Sequence, residues 1–307
     1  MAALVEAVIW GTSAEAAAAE AGIDMHDLAD AVQTYKAAGL AALQREYAGI
    51  WYHALVRPVD WTTADASFRA KVAPRLDRLD GDGTVWWFLR KHPFWRIRVR
   101  TTDHDAASAL LDELAAAGVI AEWRAGIYEP ETAAFGGDTP MAIVHELFCA
   151  DSRGVLHYTG TGPRSTGRRE VSLLLIRALQ HGAGLDWFEA ADVFDQVAQM
   201  RPAPPAADAT RVQRLADQMR PLLALPADAR TALFAPDGPL TSANDWHLAF
   251  MRAGEQCAEA ARAGHLRRGV RAVLAQIVIF HWNRLDLPAH TQAILARAAT
   301  TAILPGS

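Results

Sequence analysis

The stretch that most restricts what this chain can become runs from Thr84 to Arg100, TVWWFLRKHPFWRIRVR. Its second half alternates apolar and cationic residues without a slip. A strand sends successive side chains to opposite faces, so Trp95, Ile97 and Val99 share one face and Arg96, Arg98 and Arg100 the other. The first half, Val85 to Arg90, is apolar on both faces, and Lys91-His92-Pro93-Phe94 between the halves reads as a hairpin turn. Two adjacent strands therefore sit at the centre of the fold, one of them with a cationic face.

The flanking patterns extend this hairpin into a recognisable order. A strand over Trp51–Arg57 and a helix over Asp65–Leu79, closed by Gly81-Asp82-Gly83, precede it, and a helix over Asp105–Ala117 and a strand over Val119–Ile127 follow it. The order is βαββαβ, the signature of a ferredoxin-like antiparallel sheet with two helices on one face and the other face open. Residues 1 to 46 carry helical spacing at Leu28, Val32, Tyr35 and Leu40, with Asp24 as an N-cap. After Gly136-Gly137 the chain reads as helical to its end, broken by Arg201-Pro202-Ala203-Pro204-Pro205 and by Pro236-Asp237-Gly238-Pro239. The expected architecture is α+β: a helical cap (1–46), a ferredoxin-like region (47–137) and a helical region (138–307) that closes a cleft. The helix EVSLLLIRALQHGAGLDWFEAADVF, with Arg177, His181, Asp186 and Glu189, reads as one amphipathic element.

The arginine face has two readings. It is displayed to water, or it is covered and holds something polar. Placing Trp86 and Phe88 on that same outer face argues for a cover, because a sheet face rich in large apolar side chains is usually packed. A desolvated guanidinium then needs a carboxylate or a ligand. Tyr128, Glu129 and Glu131 in IYEPETAAFGG are candidates for lining the cleft, or simply an acidic loop. His281 and Asn283, with Arg284, end the most apolar helix, either as helix-end residues or as part of the chemistry. Spacing alone reveals no P-loop, dinucleotide fingerprint, nucleophile triad or metal-ligand set.

Composition removes several function classes. A net charge of −5 and a pI near 6.1 argue against general attraction to nucleic acid or anionic membrane. The expectation is no nucleic acid, no membrane, no metal and no cofactor. Cys149 and Cys257 fit no CxxC or disulfide framework and read as isolated reduced thiols. MAALVEAVIW lacks the basic start of a signal peptide, and Ala272–Trp282 is too short to cross a bilayer, so the chain reads as cytoplasmic.

Four stretches in order, WWFLRKHPFWRIRVR, YEPETAAFGGDTPMAIVHELFCADSRGVL, RREVSLLLIRAL and FHWNRL, resemble the thiopeptide-type bacteriocin biosynthesis proteins, which are similar to the C-terminal elimination domain of lantibiotic dehydratases. The resemblance covers roughly residues 48 to 287. It implies an enzyme acting on a ribosomal precursor peptide, leader plus dehydrated core, with a split dehydratase subunit as a possible partner. Two reactions are implied on this scaffold. One is elimination of glutamate from glutamylated Ser or Thr. The other is the formal aza-[4+2] cycloaddition of two dehydroalanines that forms a pyridine-centred macrocycle and expels the leader. A non-catalytic scaffold that recruits the precursor is a third reading, and the chain is too short to hold a glutamylation domain as well.

The resemblance assigns Arg98 and Arg100 to the two strand arginines, Glu131 to the glutamate of an E-x-x-R-Y-G-G motif and His281 to a late histidine. Ala134 stands where that motif has its arginine. A leaving glutamate needs cationic partners, so this departure favours cycloaddition, with Tyr128 as a further proton mover and Trp86, Trp95, Arg96, Trp282 and Asn283 as substrate-binding residues. An elimination enzyme would need a substitute cation near Glu131, with Arg124, Arg153 or Arg177 as candidates. Arg98, Arg100 and His281 are expected to converge on one pocket.

Overall fold

The computed structural model describes residues 1–48, 51–81, 84–160 and 166–304. The chain divides into two compact units, Met1–Ile50 and Trp51–Ser307. The first holds α1 (Ala2–Ile9), α2 (Ala14–Ala21) and α3 (Met25–Ala48) around Val5, Ala17, Ala18, Leu28 and Val32. Asp24 caps α3 by accepting the His26 N–H at 2.7 Å. Leu28 and Val32 are buried as their spacing requires, whereas Tyr35 is exposed.

The second unit carries the ferredoxin-like order. β1 (Trp51–Pro58) is followed by a helical stretch of α4 (Ala64–Ser67), a π-helical turn (Phe68–Val72) and α5 (Ala73–Leu76). β2 (Trp86–Lys91), β3 (Phe94–Arg100), α6 (His104–Ala116) and β4 (Ile120–Gly126) complete it. The four strands pair antiparallel in the order β2-β3-β1-β4. Asp82 and Gly83 of the expected turn lie outside the described residues. One face of the sheet packs on its own helices: Phe68 stacks on Trp95 at 4.7 Å and lies 5.5 Å from Phe88.

The helical half contains α7 (Asp138–Gly160), α8 (Arg168–Gly182), α9 (Trp187–Gln199), α10 (Ala209–Leu223), α11 (Ala227–Phe234), α12 (Asn244–Arg262), α13 (Val270–Arg284) and α14 (Ala289–Ile303). The stretch from Glu170 to Phe194, read as one helix, is two. Gly184 turns at φ 71°, and Asp186 with Glu189 forms a capping box that starts α9. α8 and α12 cross in intimate contact, with Gly182 against the Met251 carbonyl and Gly254 against the Leu179 carbonyl, so that a Cβ at either glycine would overlap backbone. α7 and α13 pack on β2, which covers the arginine face at that end of the sheet. Among the described residues no helix is long and apolar enough to cross a membrane.

Candidate active site

Cross-strand pairing fixes the floor of the covered face, because residues directly opposite share a face. Arg98 pairs with His53 on one side and Trp87 on the other, and Trp51 pairs with Arg100. Trp86, Phe88 and Trp95 therefore do not share the arginine face. They lie on the side packed by Phe68, and Trp86 donates its indole N–H to Asp77 at 2.7 Å. The two tryptophans beside Arg98 are Trp51 and Trp87, in place of the expected Trp86 and Trp95.

The three strand arginines meet different fates. Arg98 is 2% exposed, Arg96 is half-buried and Arg100 is exposed. The Arg98 guanidinium lies 4.3 Å from the Trp87 ring centre and 5.1 Å from that of Tyr128. Its Nε is buried with no partner among the described residues. Burial pulls its pKa down to about 10, opposed by Tyr128 and the negative charge of Glu131. Glu131 keeps one buried oxygen, Oε2, without a hydrogen-bond partner among the described residues.

Three aromatic side chains complete the surroundings. The Tyr128 hydroxyl lies 2.6 Å from His145 Nε2, and the His145 ring is 5.0 Å from that of Trp51. Burial, then the charge of Arg98 and of Arg100, lowers His145 to about 4. Burial, then Glu131, pushes Tyr128 well above the ordinary phenol range. At neutral pH the pair is thus a phenol donating to a neutral imidazole. His53 Nδ1 lies 3.0 Å from the Ile127 carbonyl, and burial with Arg98 lowers its pKa to about 4.

The Glu131–Gly137 loop is tied to the α12–α13 link. Gly136 and Gly137 take φ of 87° and 131°, conformations open to glycine, and the Arg267 N–H donates to the Gly136 carbonyl at 2.7 Å. Arg268 Nη1 donates to the Ala134 carbonyl at 2.8 Å. The three candidate substitute cations are engaged elsewhere. Arg124 lies over Phe94, Arg153 pairs with Asp77 at 2.9 Å, and Arg177 donates to Gln180 at 2.8 Å.

His281 lies in a buried cluster centred on Asp151. It is 0% exposed, with Nδ1 2.8 Å from Asp151 Oδ1 and Nε2 2.8 Å from Ser172 Oγ. Both ring nitrogens are thus held by the protein, so His281 offers none to a substrate, contrary to the expected convergence with Arg98 and Arg100. Trp282 donates to the same Ser172 hydroxyl at 3.0 Å, and the Asn283 amide oxygen accepts from Gln292 at 2.9 Å, so neither side chain turns toward the sheet. Asp151 also accepts from Trp246 at 2.9 Å and, through Oδ2, from Arg284 Nη1 at 2.8 Å. Burial would raise the Asp151 carboxyl, but His281 and Arg284 outweigh it and hold it below the usual range.

Both cysteines are buried and free, their thiols pushed up to about 12 by burial, which makes them poor nucleophiles. Among the described residues no group of three or more His, Cys, Asp and Glu is arranged to hold a metal ion. A cleft of about 690 Å³ lies away from this chemistry, between α9, α10 and α14, with Asp192 on its rim already paired with Arg271.

A four-stranded split βαββαβ sheet, its arginine face covered at the β2 end by helices, joined to a large helical half defines an α+β protein. The chain belongs to the lantibiotic biosynthesis dehydratase C-terminal family, whose sequence model matches residues 51–303. It is therefore a member of a family in the biosynthesis of ribosomally made, modified peptides. Similar solved structures include the tRNA-dependent lantibiotic dehydratase MibB from Microbispora sp. 107891 (20% identity, TM-score 0.58, 82% of this chain and 28% of that one). TsrL (16%, 0.57, 82% and 94%) and TbtD, the pyridine synthase from thiomuracin biosynthesis (17%, 0.49, 82% and 97%), are also similar. The chain thus spans little more than a quarter of MibB. No curated protein sequence matches it.

Proposed function

We propose that this protein is a pyridine synthase: it joins two dehydroalanines of a leader-bearing precursor peptide by a formal aza-[4+2] cycloaddition. Two carbon–carbon bonds form, and the ring aromatises by losing one water and the leader as its carboxamide. No oxidant is needed. The observation that carries this reading is the missing motif cation beside Glu131. Ala134 stands at the motif's arginine position, and Arg124, Arg153 and Arg177 are engaged with Phe94, Asp77 and Gln180. Such a site suits an uncharged amide better than the carboxylates of a leaving glutamate.

The residues fit the needs of that reaction. Two dehydroalanines brought together beside Trp51, Trp87 and Tyr128 gain by proximity, which lowers a barrier by about 7–11 kcal/mol at best. Tyr128 with His145 moves a proton between amide nitrogen and oxygen, giving the iminol tautomer that acts as the azadiene. The buried Arg98 Nε–H, without a partner among the described residues, is available to a peptide carbonyl. Precursor peptide is the partner this requires.

Elimination of glutamate is the second reading, favoured by the exposed cation Arg100 on the same strand. Incubation with a bis-dehydroalanine precursor and with its glutamylated counterpart separates the two. Loss of water and leader from the first supports the synthase, and loss of glutamate from the second refutes it.

A further inference from the structure

Arg284 is 0% exposed, yet only one of its nitrogens has a hydrogen-bond partner among the described residues. Nη1 donates to Asp151, while Nε and Nη2 are buried with no partner among the described residues. Its guanidinium carbon sits 3.9 Å from the Phe148 ring centre and 5.5 Å from that of Trp87, the same indole that carries Arg98 at 4.3 Å. The charges of Arg284 and Arg98 oppose each other, and Arg284 also acts on Tyr128. The Trp87 indole N–H likewise has no partner among the described residues. A folded chain gains nothing by holding two like charges near one ring with idle donors, since each idle buried donor costs about 1–3 kcal/mol. A ligand oxygen that arrives with the substrate resolves the cost.

We infer that Arg284 is a catalytic residue that donates, with Arg98, to the substrate amide oxygen, and that Asp151, backed by His281 and Ser172, is the chain of positioning residues that aims it. The inference rests on the peptide-amide reading above. In that step the amide nitrogen gives its proton to the Tyr128–His145 pair, negative charge gathers on the oxygen, and the oxygen takes the proton back as the iminol; atoms and electrons balance without a co-reactant. Arg284 stabilises the oxygen while it is charged. Asp151 presents Oδ2 to Arg284, and its Oδ1 is held in place by Trp246 and His281. His281 is held in turn by Ser172. With Nδ1–H donating to Asp151 and the Ser172 O–H donating to Nε2, every polar atom of this chain is satisfied, which leaves the free Arg284 nitrogens as its working end.

The test uses the full chain and begins with the wild type on both the bis-dehydroalanine and the glutamylated precursor. If only the glutamylated peptide is converted, the cycloaddition reading falls and the variants are assayed on elimination instead. If neither is converted, that reading also falls, and the variants are compared by affinity for the bis-dehydroalanine peptide through tryptophan fluorescence. On a converted peptide, Arg284→Ala is expected to lower kcat about 10²–10³-fold with little change in KM. Added methylguanidine should restore part of that loss, because it refills the vacated space with the same fork. Arg284→Lys keeps the charge but not the fork and should not rescue, whereas Ser172→Ala should lower kcat less than Arg284→Ala does. In the affinity format, Arg284→Ala is expected to bind the peptide about tenfold more weakly. Folded Arg284→Ala and Arg284→Lys proteins with wild-type turnover, or wild-type affinity where affinity is the readout, overturn the assignment.

Discussion

Replacing Asp151 by Asn isolates one interaction. The amide oxygen still accepts from Trp246 and His281 in the place of Oδ1, but the carboxylate facing Arg284 at 2.8 Å is gone. At that distance and an effective dielectric of about 20 the Coulomb attraction is about 6 kcal/mol. Part of it offsets the desolvation of two fully buried groups, and breaking such a pair on one side costs about 3–5 kcal/mol. For a unit of this size that lowers Tm by about 6–20 °C. The assay is thermal or urea unfolding of the full chain at neutral pH. A control separates lost charge from lost shape: Asp151→Asn with Arg284→Met removes the stranded cation and should be more stable than the single variant by about 2 kcal/mol. The sign with pH follows. Because the folded-state carboxyl titrates below its unfolded value, its stabilisation is complete above about pH 4–5 and fades as pH falls through the folded pKa, so wild type and variant converge in acid. A loss under about 1 kcal/mol in Asp151→Asn, or a double variant no more stable than the single, refutes a buried pair that holds Arg284.

Tyr128→Phe should leave the fold intact and slow turnover about 10²–10⁴-fold, read by mass spectrometry of the precursor; unchanged rate removes Tyr128 from proton transfer. His53, His145 and His247 all titrate near 4 by burial, so unfolding between about pH 4 and 6.5 should take up protons at these three sites. Their share of stability should then decline as pH falls across that window, and ring resonances with midpoints above 6 would contradict it. Gly254→Ala, which drives a Cβ into the Leu179 carbonyl, should destabilise by about 1–3 kcal/mol or more in urea unfolding; a neutral change would deny the close α8–α12 crossing.

The hairpin was legible because period-2 alternation marks Trp95–Arg100 as a strand, but of its two strands, both expected at the centre, β2 lies at the sheet edge. The face of β2 was not read correctly, because Val85–Leu89 is apolar on both sides and its own pattern carries no parity. The hairpin did carry it: counting outward from the Lys91–Phe94 pair sets Trp87, not Trp86, opposite Arg98. His145 had a signal as well, lying on one face of α7 with Phe148, Cys149 and Ser152 at helical spacing. Asp151 and Ser172 had little, since their partners come from other helices. His281 was found by resemblance, but only the packing reveals that both its nitrogens are occupied. Arg284 was named in the sequence without a role, since burial with idle donors is a property of the folded state.

The central claim is that the covered arginine face cyclises dehydroalanines, and one measurement tests it most directly: the mass change of a bis-dehydroalanine precursor incubated with the purified chain. The account predicts two products, a released leader ending in a carboxamide and a macrocycle lighter than the precursor by that leader and one water, both absent with Arg98→Ala. An unchanged bis-dehydroalanine peptide, with glutamate released from its glutamylated counterpart in the parallel reaction, would contradict it.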